Sequence, residues 1–383
     1  MITKPSDLKE KNTARVIRIL LSKPCTPRVE LAKETGLTKT TISDIINKLK
    51  KIDIIDERKG KRTGLVGKVP IPLRISKKAA ICIGIGLRRK CIYGVTMGAD
   101  GRILATVSKM ASNKRKKDVL ANLFEVIQRL LKKCDDLKLK VDAVGIGAPA
   151  PLDKEKGIIY SPYGLYDWEN FALGELTNKK FDLPVFLIND ADGGAFGLKC
   201  FGNCRNISSF VSLYFDEGIG AGIILKDEVY SGSFGYSGEI SYTLLSSFSE
   251  NGSKKKPFNL DAMVSTLNSK LELNFSDIES FTAEKIINNN KLKTTIKKAG
   301  DEIGRITALV TNLIGPEAVV VNGKLLKFGS VFYSELKNAY RKNLFRSKQV
   351  KLIKGSKNES KAFSTGAASY AIYSYIKNKA LSS

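Results

Sequence analysis

Arg28-Val29-Glu30-Leu31-Ala32-Lys33-Glu34-Thr35-Gly36-Leu37-Thr38-Lys39-Thr40-Thr41-Ile42-Ser43-Asp44-Ile45-Ile46-Asn47-Lys48-Leu49 reads as two short amphipathic helices joined by a tight turn. Leu31 and Ala32 give the first helix an inner face, and Ile42, Ile45, Ile46 and Leu49 recur at helical spacing in the second. Gly36 stands where the chain must leave the first helix, a position that favours a positive φ. Thr38 is the expected N-cap of the second helix, its hydroxyl accepting from an amide one turn on. Lys39, Thr40, Thr41, Ser43, Asp44 and Asn47 are then left on the outer side. A polar helix N-terminus that projects from a compact unit can enter the DNA major groove. Thr38, Lys39, Thr40, Thr41, Ser43 and Asn47 are therefore the candidate DNA contacts of this helix.

The flanks agree with a DNA-binding head. Upstream, Val16, Ile17, Leu20 and Leu21 form the apolar face of a helix over roughly 12–22, and Thr26-Pro27 is expected to open the next one, proline suiting a first helical position. Downstream, residues 52–58 and 69–75 read as strands around the basic, glycine-rich Lys59-Gly60-Lys61-Arg62-Thr63-Gly64. Strand, basic loop, strand is a wing. Lys61 and Arg62 join the candidate DNA contacts because their charge suits phosphates or a minor groove. An ordinary solvated hairpin is the plainer reading of the same loop.

Composition narrows the rest. At 383 residues the chain is too long for a DNA-binding head alone and long enough for two or three units with cores of their own. The net charge is +26, of which residues 1–78 carry +12, so charge is densest where the helix pair lies. A polyanionic partner explains that gradient; a general lysine bias accounts for much of the excess elsewhere. The chain has no histidine, which excludes histidine bases, metal ligands and pH switches. Its six cysteines are scattered without a Cys-x2-Cys pair, as expected of buried thiols in a reducing compartment. No long apolar run and no signal peptide is present, so a cytoplasmic protein without membrane contact is expected.

From Ala80 the texture changes. Residues 81–86 and 91–97 read as paired strands, followed by a turn at Asp100-Gly101 and a third strand at 103–107. A helix over 118–133 and a buried strand at 141–146 come next; a second strand set lies at 185–188, 210–215 and 221–225. The last third is mostly helical, around 294–313, 331–345 and 362–378, with one strand at 318–321. Strand hairpins followed by alternating helices and strands, twice over, point to an α/β fold of two lobes with a cleft between them. The expected organisation is a winged helix-turn-helix over 1–76 and a two-lobed part over 77–383, the lobes meeting near 187–190.

Three loops in the larger part stand out: Gly145-Ile146-Gly147-Ala148-Pro149-Ala150-Pro151-Leu152-Asp153 after a strand; Asn189-Asp190-Ala191-Asp192-Gly193-Gly194-Ala195 between a strand and a small-residue helix; and Gly218-Ile219-Gly220-Ala221-Gly222, which leads to Gly238-Glu239-Ile240. Alone, each is a tight turn or a helix cap. Their order and spacing, together with Ser161-Pro162, Trp168-Glu169-Asn170 and Val321-Asn322-Gly323, resemble the ROK family of repressors and sugar kinases over essentially the whole chain. The resemblance implies an actin-like, two-lobed sugar-kinase fold with a sugar site in its cleft. It places Asp190, beside Asn189, at the position of the kinase base, and Glu239 at that of a second acceptor of sugar hydroxyls. Ala148 and Tyr242, from the loops on either side, complete the candidate effector-binding set.

The departures from the family pattern are as informative. Gly84 stands where the first phosphate motif has an aspartate that organises Mg²⁺. Asp216-Glu217 precede Gly218 where the second phosphate loop has Gly-Thr; carboxylates aimed at a triphosphate would each cost on the order of a kcal/mol. The zinc-binding histidine and the cysteine run after it are replaced by Ser241-Tyr242 and by Asn251-Gly252-Ser253-Lys254-Lys255-Lys256-Pro257, and Tyr163 replaces the asparagine after Ser-Pro. Zinc and Mg-ATP are therefore expected to be lost, and kinase chemistry with them. The expected protein is a repressor that binds operator DNA as a homodimer or dimer of dimers and answers to a sugar or sugar derivative. A bifunctional kinase using Asp190 as base, and a ligand-free dimerisation scaffold with constitutive DNA binding, are the alternatives.

Overall fold

Residues 5–57, 71–110, 115–149, 151–154, 156–160, 168–216, 218–240, 260–345 and 349–383 are described by the structure, a computed structural model. The head comprises α1 (Pro5–Ser22), β1 (Thr26–Pro27), α2 (Arg28–Thr35), α3 (Lys39–Lys51), β2 (Ile55–Glu57) and β3 (Pro72–Ile75). Gly36 ends α2 at φ +70°, its amide donating to Ala32 O. Thr38 caps α3, accepting from the Thr41 amide at 3.1 Å. Val16, Ile17, Leu20, Leu31, Ile42, Ile46 and Leu49 are buried together as the helical spacing requires.

Two expectations for the head need correction. Helix α1 begins at Pro5, well before residue 12. Thr26-Pro27 does not open α2; it is a short strand paired antiparallel with Leu73 and Pro72, and the helix starts at Arg28. Pro27 keeps an extended ψ of 160° because pairing with β3 outcompetes its aptitude for a first helical turn. β2 and β3 are the antiparallel wing strands, in register Ile55↔Ile75 and Glu57↔Leu73. The loop between them, with Lys61 and Arg62, lies outside the described residues.

The chain divides into two units, residues 1–206 with 363–383, and residues 207–362. Beyond the head, the first unit runs β4 (Ile81–Leu87), β5 (Cys91–Gly98), β6 (Ile103–Met110), α4 (Lys116–Asp136), β7 (Ala143–Ala148), β8 (Leu152–Asp153), β9 (Ile158–Ile159), α5 (Leu173–Phe181), β10 (Val185–Asn189) and α6 (Asp190–Cys200). Its sheet has the order β10-β7-β4-β5-β6. The last three strands form an antiparallel meander, and β7 and β10 run parallel to β4. Val119, Leu123, Val126, Ile127 and Leu130 of α4 pack with Ile83, Ile85 and Ile146 in one apolar cluster.

Glycine lets the C-terminal helix α11 (Glu359–Ser382), from Phe363 onward, lie directly on backbone. A Cβ at Gly84 would stand 2.1 Å from Ser364 O, and one at Gly145 2.1 Å from Ala367 O. Gly366 in turn approaches α6 so closely that a Cβ there would be 2.2 Å from Gly193 O. The first unit takes in α6 and runs as far as residue 206.

The second unit repeats the plan with β11 (Phe210–Phe215), β12 (Ile219–Leu225), β13 (Glu228–Val229), α7 (Leu260–Leu271), α8 (Ala283–Ile287), α9 (Asn290–Ile314), β14 (Ala318–Asn322), α10 (Gly329–Asn343) and β15 (Lys351–Lys354). Its sheet order is β13-β12-β11-β14-β15, again an antiparallel hairpin set followed by two parallel strands. Its core joins Leu213, Phe215, Val319 and Val321 to Ile296, Ile303, Phe332 and Leu336. Strand β15 escapes the sequence pattern because Lys351-Leu352-Ile353-Lys354 is short and charged at both ends, as an edge strand can be.

Candidate functional site

In the head, Thr38, Lys39, Thr40 and Asn47 are exposed and Thr41 and Ser43 half-buried, all on the side of α3 opposite its Ile42–Leu49 core face. Glu57 of β2 ties this helix to its neighbours: Arg28 reaches it at 3.0 Å and Lys50 at 2.6 Å. Arg28 also donates to Asn47 Oδ1 at 3.1 Å, so one residue of the candidate set is held by a partner that sequence reasoning did not assign. Arg15 of α1 donates to Thr35 O at 2.8 Å and Glu34 O at 3.0 Å, satisfying carbonyls that end α2.

The hydrogen bond from Lys50, with help from Arg28, holds the Glu57 carboxyl below its ordinary value of 4.5. A depressed folded value adds stability above the unfolded one and loses it as pH falls through the folded value. Melting temperatures of the wild type and Glu57→Gln are expected to differ at neutral pH and to converge as acid is added below 4.5. A gap unchanged at low pH would contradict this.

In the first unit, parallel strands β7 and β10 end side by side, with Ala148 and Asn189 in register. Ala148 is fully buried within the apolar cluster, so its contribution to any ligand is limited to backbone. Asn189 is the N-cap of α6, its Oδ1 accepting from the Ala191 and Asp192 amides at 3.0 and 3.2 Å. The cap holds Asp190, the first helical residue, against the end of the sheet.

Asp190 meets Arg88, the residue that follows β4. Arg88 Nη1 lies 3.3 Å from Asp190 Oδ2, with side chains only 6% and 12% exposed. The guanidinium also lies over the Phe363 ring, 4.9 Å from its centroid. Two residues on, Lys154 Nζ stands 3.4 Å from the buried Asp192. Sequence reasoning missed Arg88, although Leu87-Arg88-Arg89-Lys90 interrupts an apolar strand pair.

In the second unit, Asp216 follows β11 and Lys324 follows β14; Lys324 Nζ is 3.4 Å from Asp216 Oδ1, and the Asp216 side chain is 4% exposed. Asp216, one of the two carboxylates expected to repel a triphosphate, is thus buried beside a lysine of the same unit. Glu217 and Tyr242 lie outside the described residues. Glu239 is exposed and follows Gly238, whose φ of +81° and whose carbonyl bonded to the Ala221 amide at 3.0 Å fix the turn. A Cβ on Gly238 would stand 1.8 Å from Ala221 O, so only glycine serves there. Asp190 thus belongs to the first unit and Glu239 to the second.

At Gly84 the direction a side chain would take is filled by the backbone of α11. Among the described residues no three His, Cys, Asp or Glu side chains cluster as a metal site would need. The thiols are mostly buried, with burial raising Cys200 to about 12 and Cys204 to about 11, which keeps both unreactive. Cys25, in contrast to the expectation of buried thiols, is exposed.

The family model described as "ROK family" matches residues 80–373, and a winged helix-turn-helix DNA-binding model matches residues 9–56. The xylose repressor of Caldicellulosiruptor bescii is 26% identical over 386 residues, covering 95% of this chain and 96% of that protein. The crystal structure of a ROK family transcriptional regulator, a homolog of the Escherichia coli MLC protein, superposes with a TM-score of 0.78 at 21% identity, over 98% and 99% of the two chains. A ROK family glucokinase from Streptomyces griseus, in complex with glucose and AMPPNP, reaches 0.62 at 19% identity, over 76% of this chain and 99% of its own.

Proposed function

The chain belongs to the ROK family, and on that premise we propose that it is a sequence-specific transcriptional repressor whose operator affinity is set by a sugar-class effector and which has no kinase activity. The observation that carries the reading is the capped, outward-facing N-terminus of α3 on a chain of this family. Two heads on a homodimer would read the half-sites of one operator. No described helix is long and apolar enough to cross a membrane.

The effector reading rests on Asp190, a buried carboxylate at the mouth of a helix that can accept sugar hydroxyls. Helix α6 offers a route from there to the head. Its 11 residues span about 16 Å from Asp190 to Cys200, where it packs against α1. Helix α1 grips α2 through Arg15 and pairs with α11 through Glu10 and Lys377, 3.1 Å apart. A ligand that draws on Asp190 thus pulls on an element touching the helix that carries the head.

Three features argue against phosphoryl transfer. Gly84 has no room for a metal-organising aspartate, Arg88 engages the carboxylate that would act as base, and Lys324 is held by Asp216. Binding of purified protein to genomic footprint DNA, with and without D-xylose or D-glucose and with ATP turnover followed in parallel, tests the reading. Sugar-dependent release of DNA without turnover supports it; sugar-dependent ATP hydrolysis restores the kinase alternative, and DNA binding indifferent to every sugar restores the scaffold.

For the head, Lys39→Ala and Thr41→Ala are each expected to cost about 1–3 kcal/mol at the bases they face and to relax preference there. Arg62→Ala is expected to weaken binding uniformly across sequences and to lower the salt slope by about one. Competition titrations against operator and scrambled DNA separate the two behaviours, and equal loss on both DNAs for Lys39→Ala would contradict a base-reading role.

A further inference from the structure

We propose that Arg28 fixes Asn47 as a donor-only reader of operator DNA, so that the base pair facing Asn47 is G·C in preference to A·T. The inference rests on the reading that α3 enters the major groove. Asn47 is exposed on α3, and its Oδ1 accepts from Arg28 Nη2 at 3.1 Å. The same nitrogen donates to Glu57 Oε1 at 3.0 Å, and Lys50 holds the other oxygen of Glu57 at 2.6 Å. Helices α2 and α3 and strand β2 thus share one chain of charge-assisted bonds that ends on a candidate DNA contact.

The chemistry of the pair decides which end of the amide is left for DNA. A guanidinium carries only donors, so the Asn47 atom turned to it is the carbonyl oxygen. Flipping the amide would set its NH2 against the Arg28 donor and forfeit the bond. Asparagine reads adenine with both ends of its amide, Oδ1 accepting from N6 and Nδ2 donating to N7. With Oδ1 committed to Arg28, that pairing is broken and the adenine amino group would face a donor. Guanine presents two adjacent acceptors, N7 and O6, to a group that only donates. Thymine presents one acceptor, beside a methyl group.

A structural brace alone accounts poorly for the arginine. Arg28 opens α2, where a cation works against the helix dipole, so the stability of α2 does not explain its place. Lys50 already bridges α3 to Glu57 of β2 without it. What Arg28 adds is the bond to Asn47.

Selection by the full chain from a randomised duplex library, repeated with Asn47→Ala, Arg28→Ala and Arg28→Lys, tests this. The position whose preference Asn47→Ala flattens marks the pair that Asn47 faces. There the wild type is expected to favour G·C over A·T by about fivefold or more. Arg28→Ala frees Oδ1 and should move that one position toward A·T while its neighbours keep their preferences. Arg28→Lys, which keeps a donor, should retain part of the G·C bias. Should melting curves show that Arg28→Ala does not fold, the wild type carries the test on a selected duplex with 7-deazaguanine at that position, where binding is expected to weaken about threefold or more. Four results would overturn the inference while leaving the DNA-binding head intact: A·T favoured there by the wild type, a uniform loss of affinity in Arg28→Ala with preference unchanged, an Asn47→Ala profile identical to wild type, or full affinity for the 7-deazaguanine duplex. Enrichment of no sequence by the wild type would overturn the reading of the head and this inference together.

Discussion

Gly84→Asp, the substitution that restores the kinase family's metal-organising residue, is expected to destabilise the first unit by about 3 kcal/mol or more and to confer no ATP turnover. The cost arises at the first atom added. A Cβ at this position would stand 2.1 Å from Ser364 O, 2.4 Å from Ala368 N and 2.5 Å from Ala368 Cβ. Two of these are backbone atoms of a helix pinned on its other side against α6, so the clash cannot be relieved by a side-chain rotation. A carboxylate beyond that Cβ would also enter the face where Gly145 meets Ala367, at a cost in desolvation. Gly84→Ala is the companion variant: it should account for most of the loss, because sterics rather than charge dominate. Denaturant unfolding measures both, and a Gly84→Asp protein as stable as wild type would show that α11 is not seated as described.

Asp190→Ala is expected to abolish the response of the operator complex to effector while leaving ligand-free operator affinity within about twofold. A carboxylate accepting ligand hydroxyls contributes about 1.5–3 kcal/mol, which corresponds to a loss of roughly tenfold to a hundredfold or more in effector affinity. Removing the carboxylate also strips Arg88 of a buried counter-charge, so part of any loss in melting temperature belongs to the arginine. The double variant Arg88→Gln/Asp190→Asn removes both charges together and should be more stable than Asp190→Ala alone. DNA-binding isotherms with and without effector, beside thermal melts, separate the two effects. An Asp190→Ala protein that still releases DNA on effector addition would move the effector site elsewhere.

The chemistry of the head was open to reading from residues alone because its signals are local. Gly36 needs a positive φ, Thr38 sits three residues before the amide it caps, and Ile42, Ile45, Ile46 and Leu49 share one face by helical period. The two α/β repeats were legible for the same reason, each built from hairpins and helices with strong periodicity. The exception within the head is instructive. Thr26-Pro27 looks like a helix start, yet becomes a strand because Leu73 and Pro72, more than forty residues away, pair with it.

The site depended on contacts that no local pattern encodes. Asn189 and Asp190 stand out in the sequence, but only the fold shows that Asn189 is committed to a cap and that Asp190 faces an arginine 102 residues away. Asp216 is legible in the chain as a carboxylate; only the fold brings Lys324 to 3.4 Å from it. The absence of an aspartate at 84 was visible in the chain; its reason, a helix from the far C-terminus resting on glycine backbone, was not. Residue identity and period determined by themselves that this protein has a DNA-binding head and a twice-repeated α/β body, because those properties arise within a few turns of chain. Tertiary structure decided which charges are paired and which face is closed, because burial and ion pairing join residues that the sequence keeps far apart.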